Sequence, residues 1–280
     1  MSDFAKYVDA FTPAEVADKV KTLGVSKANM PFLPLLVLSM MAGAFISFGA
    51  MYYTVAMTHP AEAYGAAKLL GGLAFSLGFI LVVIAGGELF TGNNLIVMAL
   101  AKRQITVLCV LKNWSLVYIG NGIGAFITVY LVYVSGYLDG AHHAVGATAL
   151  KIGLGKVDLT TSEAFVRGIF CNSLVCLASW MVYASRTVMD KVFAVIFPIS
   201  AFVAMGFEHC IANMFMIPLA FVASLDPEII AVSGLGPDEL QNLTTSGFIA
   251  NLIPVTLGNI FGGSIMVGMS LYMVYLYGRD

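Results

Sequence analysis

The sequence predicts an all-α integral membrane protein with six transmembrane spans arranged as a 3+3 inverted repeat, in which spans two and five are broken. Three observations predict this fold class. The 280 residues are 59% hydrophobic and 11% charged, with a mean hydropathy of +0.89, whereas about a quarter of the residues of a soluble domain are charged. Six long apolar blocks follow one another along the chain. Two of these blocks contain the same polar interruption.

The six apolar blocks predict the spans, because a helix needs about 20 apolar residues to cross a bilayer. The blocks cover residues 33–57, 66–100, 106–134, 161–184, 191–224 and 246–277. The second and fifth blocks are too long for one span of about 20 to 25 residues and too short for two. A helix, a non-helical break and a half-helix fit this length, provided that the break is buried in protein or lines a cavity. We therefore place the breaks at residues 86–94 and 206–213.

The two breaks share a motif in which a Glu is followed, five residues later, by an Asn. These residues are Glu88 and Asn93 in the first break, and Glu208 and Asn213 in the second. A carboxylate at bilayer depth costs at least about 3 kcal/mol on insertion scales, so it faces a cavity or a buried partner. We expect these four side chains to stabilise the breaks, with each carboxylate accepting hydrogen bonds from the unwound backbone.

The repeat continues after the breaks. Two sets of residues recur at identical spacing: Asn113, Gly120, Asn121 and Gly124 in the third block, and Asn251, Gly258, Asn259 and Gly262 in the sixth. More weakly, Gly43 in the first block echoes Gly168 in the fourth. Three spans in each half predict an inverted repeat with a pseudo-two-fold axis in the bilayer plane. We expect four asparagines to serve only as hydrogen-bond partners between helices: Asn94, Asn113, Asn121 and Asn251.

His209 departs from the symmetry of the repeat, because its counterpart in the first half is Leu89. An ionisable side chain inside a membrane segment indicates a functional site. The alternative is a buried histidine that is satisfied by its neighbours. In a transport pathway, a neutral imidazole can donate a hydrogen bond to an anion, and a charged one can hand the anion a proton. Both mechanisms stay open, and His209 is the principal candidate for the pathway.

The distribution of Lys and Arg predicts that both termini lie in the cytoplasm. Basic residues mark the segments that this orientation places inside: Lys6, Lys19, Lys21, Lys27, Lys102, Arg103, Arg186, Lys191 and Arg279. The connection 224–246, between the fifth and sixth blocks, has acidic residues and no Lys or Arg. Lys151 and Lys156, on the outer side of the third and fourth blocks, are the exception.

Two segments divide the chain. Residues 1–30 are predicted to be a cytoplasmic N-terminal segment, and residues 31–280 the transmembrane pore domain. Thr12 and Glu15 form a capping box with Pro at the first helical position, which predicts a short amphipathic helix that ends at Gly24. This helix either gates the pore or lies on the membrane surface. The N-terminal stretch is too charged for a cleaved signal peptide.

Composition argues against several classes of function. A net charge of −2 argues against nucleic-acid binding. The four cysteines form no CxxC pair and are expected to be buried thiols. An intramembrane enzyme needs a nucleophile within reach of a base, but adjacent helical residues such as His209 and Cys210 point about 100° apart. His142 and His143 lie in a loop without a third ligand at metal spacing, so we expect no metal and no cofactor.

Five contiguous motifs carry a resemblance to a known family. They are GFEHCIANMF at 206–215, NLIPVTLGN at 251–259, KLLGG at 68–72, AFSLG at 74–78 and NSLVCLA at 172–178. With these motifs the chain resembles the formate–nitrite transporter family over essentially its whole length. The resemblance implies an aquaporin-like protomer in the inner membrane of a bacterium. It also implies a homopentamer with one substrate pore inside each protomer.

The resemblance further implies a passive or proton-coupled pathway for a small monovalent anion such as formate. The pathway residues would be Phe75, Phe79, Leu89, Phe90, Thr91, Asn172, Val175, Phe202, His209 and Asn259. Their apolar members would form two constrictions around a chamber that holds His209, and Lys156 would lie in the outer vestibule. The N-terminal segment would be the place for a cytoplasmic partner.

Other substrates stay open at this stage. Nitrite and hydrosulfide are alternatives within the same family, because size and charge separate such anions poorly. A water or neutral-solute facilitator is a weaker alternative, since the required pair of Asn-Pro-Ala breaks is absent.

Overall fold

A computed structural model describes residues 9–59 and 63–278, and these residues form helices joined by turns, without a strand. Five helical segments are long and apolar enough to cross a membrane: Phe32–Ala56, Tyr64–Gly86, Val107–Val134, Thr161–Ala184 and Thr245–Tyr275. The fifth apolar block forms two shorter helices, Val188–Ala204 and Cys210–Ala223. The predicted all-helical membrane fold is confirmed.

We number the α-helices in chain order. They are α1 (Pro13–Ala28), α2 (Phe32–Ala56), α3 (Tyr64–Leu81), α4 (Val97–Ala101), α5 (Val107–Val134), α6 (Ala144–Val157), α7 (Thr161–Ala184), α8 (Val188–Ala204), α9 (Cys210–Ala223), α10 (Pro227–Ser233), α11 (Pro237–Leu240), α12 (Thr245–Ile260) and α13 (Ser270–Tyr275). π-Helical turns at Val82–Gly86 and Phe261–Met269 extend α3 and join α12 to α13. A 3-10 turn at Gly92–Ile96 leads into α4, and another lies at Tyr137–Asp139.

Parts of the predicted segments 1–30 and 31–280 lie outside the described residues. Lys6 and Arg279, which contribute to the predicted orientation, belong to these parts. The division into the two segments and the orientation of the termini stay predictions.

Spans two and five are interrupted where the repeated motif stands. In span two the π-helical turn ends at Gly86, and in span five α8 ends two residues before Gly206. These two glycines have φ angles of +87° and +72°. An added Cβ would meet open space at both positions, so crowding does not explain them. The left-handed backbone does, because it costs other residues about 1 to 2 kcal/mol.

The second break is shorter than the predicted 206–213, because α9 already begins at Cys210. His209 caps this helix, and its Nδ1 accepts a hydrogen bond from the backbone N–H of Ala212 at 3.1 Å. An N-cap acceptor satisfies one of the free N–H groups at a helix start. Asn213 therefore lies within the first turn of α9.

Matching backbone hydrogen bonds define the register of the repeat. The N–H of Glu88 donates to the carbonyl of Leu38, and the N–H of Glu208 donates to the carbonyl of Arg167. Leu38 of α2 therefore corresponds to Arg167 of α7.

This register overturns the predicted match of Gly43 with Gly168, because it pairs Gly168 with Ser39. Asn side chains of the repeated motif donate to the carbonyls of Ser39 and Gly168 in the two halves. Gly43 serves a contact of its own, since a Cβ at this position would clash with the backbone carbonyl of Asn121.

Helix α1 begins at the predicted capping box. The N–H and the hydroxyl of Thr12 each donate to the Glu15 carboxylate at 2.8 Å, and these bonds hold the pKa of Glu15 below its ordinary value. The helix continues to Ala28, so the predicted end at Gly24 is wrong. A Cβ at Gly24 would lie 3.0 Å from the Cβ of Ala99. This glycine therefore lets α1 pack closely against α4, at a helix-propensity cost of about 1 kcal/mol.

Candidate transport pathway

A buried ion pair lies at the first break. Oε1 of Glu88 accepts a hydrogen bond from Nζ of Lys27 at 2.6 Å, and Oε2 accepts one from Nδ2 of Asn93 at 2.7 Å. Lys27 also donates to Oδ1 of Asn93 at 2.9 Å. The side chains of Lys27 and Glu88 are 20% and 9% exposed. Each charge therefore needs the other as its partner, because an unpaired buried charge is strongly destabilising.

The second break carries the same arrangement. Nζ of Lys156 donates to Oε1 of Glu208 at 2.9 Å, and Nδ2 of Asn213 donates to Oε2 at 2.6 Å. The side chains of Lys156 and Glu208 are 14% and 5% exposed. One difference separates the halves: within the described residues, Oδ1 of Asn213 has no hydrogen-bond partner. Lys27 thus has two side-chain acceptors, and Lys156 has one.

The two lysines extend the repeat beyond the spans. The carbonyl of Lys27 accepts a hydrogen bond from Asn113 at 3.0 Å, and the carbonyl of Lys156 accepts one from Asn251 at 2.8 Å. Lys27 lies near the end of α1 and Lys156 near the end of α6. These two helices are therefore equivalent, and each three-span half includes an additional helix that carries the lysine of its break.

The carboxylates do not accept the backbone hydrogen bonds of the breaks, contrary to the prediction. Two asparagines accept them instead: the N–H of Phe90 donates to Asn121, and the N–H of Cys210 donates to Asn259, both at 2.9 Å. Each of these amides also donates to the carbonyl of the Glu in its break, at 2.9 Å in both halves. Asn121 therefore does more than join helices, and the amide of Asn259 is occupied by the break backbone.

His209 joins the two breaks. Its Nε2 lies 3.0 Å from Oγ1 of Thr91, while its Nδ1 accepts the N–H of Ala212. A backbone N–H can only donate, so Nδ1 carries no hydrogen and the neutral imidazole has its hydrogen on Nε2. His209 is 2% exposed and Thr91 is fully buried. With Oγ1 accepting from His209, the Thr91 hydroxyl keeps its own hydrogen for a further acceptor.

Aromatic rings enclose a small chamber beside His209. The ring of Phe202 stacks on the imidazole with centroids 6.0 Å apart, and Phe75 meets Phe202 edge-on at 5.8 Å. The chamber has a volume of about 60 Å³. Its polar lining consists of His209, the Lys156–Glu208 pair and a tyrosine, with apolar side chains elsewhere.

A wider vestibule of about 550 Å³, the Lys156 vestibule, adjoins the chamber and shares Tyr53, Lys156 and Glu208 with its wall. Its charged or ionisable residues are His59, Lys68, Lys151, Lys156, Arg167 and Glu208. Four positive charges against one carboxylate give this vestibule a positive potential, which raises the local concentration of anions.

A second vestibule of about 330 Å³, the Lys27 vestibule, is lined by Lys19, Lys27, Lys191, Phe79 and Leu89, among others. The Lys27 vestibule lies at the N-terminal end of α2, whereas the Lys156 vestibule lies at the C-terminal end of that helix. The 25 residues of α2 span about 37 Å at 1.5 Å per residue. The vestibules therefore open at opposite ends of the spans. Within the described residues, none lines both the Lys27 vestibule and the chamber, so these are two separate cavities.

Three other predicted pathway residues, Asn172, Val175 and Asn259, lie behind the chamber. Nδ2 of Asn172 donates to Oδ1 of Asn94 and to the carbonyl of Asn259, both at 2.7 Å. Val175 is 1% exposed and packs in the hydrophobic core. Asn172 and Asn259 thus contact the breaks, and neither they nor Val175 lines the chamber.

Phe90 also lies away from its predicted place. Its ring packs edge-on against Tyr118 and Trp114, with centroids 4.9 and 6.1 Å away. It lines an apolar groove between α5 and α12 rather than the chamber. Its neighbour Leu89 lines the Lys27 vestibule instead.

Sequence reasoning missed two residues of the site. Lys27 was counted only as a charge that orients the chain, although it precedes α2 by the same number of residues as Lys156 precedes α7. That shared spacing was the available signal. Tyr53 lines both the chamber and the Lys156 vestibule, and no motif in the sequence marks it.

A cluster at the connection before α6 corrects one further expectation. Asp139 and Asp226 supply ligand atoms within 4.8 Å of those of His143, so a third candidate ligand does lie near this histidine. However, Nε2 of His143 already pairs with Glu228 at 2.8 Å. Exposed acidic groups often approach each other in this way, and the cluster does not by itself indicate a metal.

Comparisons with known proteins identify the family. A family model described as "Formate/nitrite transporter" matches residues 14–273. The chain belongs to this family. The formate channel FocA of Escherichia coli is 43% identical over 276 residues, which cover 97% of each chain. FocA of Haemophilus influenzae is 43% identical over 265 residues, which cover 93% of each chain.

A solved structure agrees with this assignment. It is a pentameric formate channel with formate bound, 40% identical in sequence, with a TM-score of 0.80 over 88% of this chain and 98% of its own. The resemblance that the motifs predicted is confirmed. The family shows that the chain is a membrane transport protein and not an enzyme.

Proposed function

We propose that the chain is a formate channel of the bacterial inner membrane, assembled as a homopentamer with one pore in each protomer. Relatives that share 43% of its residues carry the name formate channel, and the similar solved structure is pentameric with formate bound. The pore runs from the Lys27 vestibule past Phe79 and Leu89 to the chamber, and then into the Lys156 vestibule. The observation that carries the proposal is a small apolar chamber whose polar groups are chiefly hydrogen-bond donors.

Lys156 supplies donors at one end of the chamber. Moving an ion out of water costs several kcal/mol unless hydrogen bonds replace its hydration. An ammonium group has three N–H donors, and Glu208 accepts one of those of Lys156. The others are available to a carboxylate oxygen. Because Glu208 balances the charge of Lys156, an anion is attracted without being trapped, which conduction requires.

His209 lines the other end of the chamber, and Thr91 lies behind it. The Nε2–H of His209 donates to Oγ1 of Thr91, so the imidazole donates to an anion by exchanging that bond, and the Thr91 hydroxyl keeps a hydrogen of its own. Protonating His209 would require Nδ1 to give up the bond from Ala212. This geometry supports passage of a hydrogen-bonded anion over transfer of a proton from His209 to the substrate.

The size of the chamber also restricts which anions fit. A water molecule occupies about 30 Å³ in the liquid, so a chamber of about 60 Å³ accepts an anion of three heavy atoms with little of its hydration shell. Phe75 and Phe202 would narrow the path on one side, and Phe79 and Leu89 on the other. Phe90, Val175, Asn172 and Asn259 would support the walls from behind, while Glu88, Glu208, Asn93 and Asn213 would stabilise the breaks.

The N-terminal segment is assigned to the cytoplasm on the basis of its charge. In this orientation α1 borders the cytoplasmic vestibule, and its Lys27 reaches the first break. A cytoplasmic partner that binds residues 1–30 would thus act next to the pore. The same orientation makes the Lys156 vestibule the outer one.

Flux into liposomes tests the proposal. Purified protein is reconstituted, and formate, nitrite and hydrosulfide are supplied at equal concentration and equal membrane potential. We expect formate to move faster than the other two, and liposomes without protein to show none of this flux. Faster movement of nitrite or hydrosulfide would reassign the substrate, and flux of uncharged glycerol or water alone would overturn the anion channel.

A further inference from the structure

Comparison of the two halves reveals a second polar position on the outer side of the pore. Tyr53 stands as far after Leu38 in α2 as Val182 stands after Arg167 in α7, and the backbone hydrogen bonds make Leu38 and Arg167 equivalent. Tyr53 and Val182 are therefore counterparts. Both line the pathway, Tyr53 in the Lys156 vestibule and Val182 in the Lys27 vestibule.

Tyr53 differs from Val182 in the same way as His209 differs from Leu89. At both pairs of positions, the residue nearer the Lys156 vestibule has a hydrogen-bonding side chain, and its counterpart nearer the Lys27 vestibule has an aliphatic one. Packing alone does not require this, since the same frame accommodates Val182 and Leu89. A repeat conserves the geometry of a wall, so a departure in chemistry at an equivalent wall position indicates a local function.

Tyr53 is held at the mouth of the chamber. It lines both the chamber and the Lys156 vestibule, and its ring meets Phe75 edge-on at 6.4 Å. Gly71 leaves room for the ring, because a Cβ there would lie 2.9 Å from Cε2 of Tyr53. Through Phe75, the ring continues the row of aromatic contacts that leads to Phe202 and His209.

The hydroxyl of Tyr53 is unused by the protein. Two other partly buried tyrosines have partners for their hydroxyls: Tyr118 bonds with Thr256 at 2.8 Å, and Tyr137 donates to the carbonyl of Met51 at 2.7 Å. Within residues 9–59 and 63–278, the Tyr53 hydroxyl has no such bond, and the residue is partly exposed to the cavities it lines. A phenol at the junction of two cavities can therefore donate to whatever passes between them.

We infer that Tyr53 is a specificity-determining residue, whose hydroxyl donates to an oxygen of the anion at the entrance to the chamber. This inference rests on the proposed anion pore. Carboxylate and nitrite oxygens are strong acceptors, whereas sulfur is a weak one. Tyr53 thus favours oxyanions over hydrosulfide as the anion moves from Lys156 towards His209.

The decisive variant is Tyr53→Phe, which keeps the ring and its contacts with Phe75 and Gly71 but removes the hydroxyl. We expect formate flux to fall about ten-fold, the size of one hydrogen bond to a charged group, with hydrosulfide flux changed less than about two-fold. Hydrosulfide is measured both as a permeant and as a competitor of formate flux, so that it gives a reading whether or not the parent carries it. Tyr52→Phe is the matched control, because Tyr52 is 55% exposed on the helix surface.

A second variant distinguishes loss of the hydroxyl from a change in folding. Tyr53→Gln removes the ring but restores a donor, and we expect it to recover most of the preference for formate over hydrosulfide. An unchanged preference in Tyr53→Phe, or an equal loss of both fluxes, would overturn the assignment. Absence of formate flux in the parent would instead overturn the proposed function, so the two failures are distinguishable.

Discussion

Nε2 of His209 lies 3.0 Å from Oγ1 of Thr91, so one hydrogen bond joins the two broken spans. Neither residue has a polar counterpart in the repeat, where Leu89 corresponds to His209 and Ile211 to Thr91. The ion pairs and asparagines that surround the breaks obey the repeat, and this bond does not. We therefore expect the symmetric residues to build the frame and the asymmetric ones to contact the substrate.

Replacing His209 separates donation of a hydrogen bond from packing. His209→Phe removes the donor, and we expect formate flux to fall about 10- to 100-fold, as for loss of a hydrogen bond to a charged group. In His209→Asn, an amide N–H replaces the donor, and Asn is also a good N-cap for α9. We expect its flux to stay within about three-fold of the parent, because both interactions of the imidazole have substitutes.

The same variants test whether His209 passes a proton. Formate flux and internal pH are recorded together in liposomes that contain a pH-sensitive dye. Because Nδ1 is held by Ala212, we expect formate to move without a proton from His209 in both the parent and His209→Asn. A proton that moves with formate in the parent and is lost in His209→Asn would contradict the hydrogen-bonded mechanism.

The buried ion pairs predict a pattern of stability. Lys27→Met leaves the Glu88 carboxylate buried without its cation, and we expect a loss of about 3 to 5 kcal/mol in the free energy of unfolding. The double variant Lys27→Met/Glu88→Gln removes both charges and should recover most of this loss. Denaturant unfolding in detergent micelles, followed by tryptophan fluorescence, measures both values.

A control for this prediction lies on the same helix. Lys21 and Asp18 form a pair on α1 in which the side chain of Asp18 is 64% exposed, whereas that of Glu88 is 9% exposed. Because water solvates the Asp18 carboxylate with or without its partner, Lys21→Met should cost less than about 1 kcal/mol. Equal losses in Lys21→Met and Lys27→Met would show that burial of the Lys27–Glu88 pair has no consequence for stability.

Much of this architecture could be predicted from the sequence, because length and hydropathy alone define spans and the repeated Glu and Asn mark the breaks. The partners of those residues could not. Glu88 contacts Lys27 rather than the backbone, and the backbone contacts Asn121. Side chains in a non-helical break follow no period, so adjacent residues such as Leu89 and Phe90 point in directions that only tertiary contacts determine.

Cysteine labelling tests the orientation of the chain. Asp18→Cys on α1 and Asp238→Cys on α11 are both exposed; Asp280 lies outside the described residues. Cys109 is partly exposed and is first replaced by Ala, whereas Cys171, Cys176 and Cys210 are buried. In intact cells stripped of their outer membrane, we expect an impermeant maleimide to label Asp238→Cys only. Labelling of Asp18→Cys under the same conditions would reverse the orientation.

The last prediction concerns the charges of the Lys156 vestibule. Lys156 pairs with Glu208. In the proposed pore Lys156 therefore acts on the anion by direct contact, and long-range attraction is left to Lys68, Lys151 and Arg167. We expect Lys68→Gln/Lys151→Gln to lower formate flux about three- to ten-fold at low ionic strength and low formate, as loss of electrostatic steering does. In about 0.5 M salt the difference should nearly vanish, because the screening length falls below about 5 Å.

Lys156→Met should behave differently, since salt does not replace a hydrogen bond inside the chamber. We expect its flux to be reduced at both ionic strengths, with a similar ratio to the parent. Lys112→Gln, an exposed position on α5 that lines neither vestibule, serves as the control and should match the parent throughout. If salt restores the flux of Lys156→Met, this lysine belongs to the steering charges. If the flux of Lys68→Gln/Lys151→Gln stays low in high salt, those two side chains contact the anion directly.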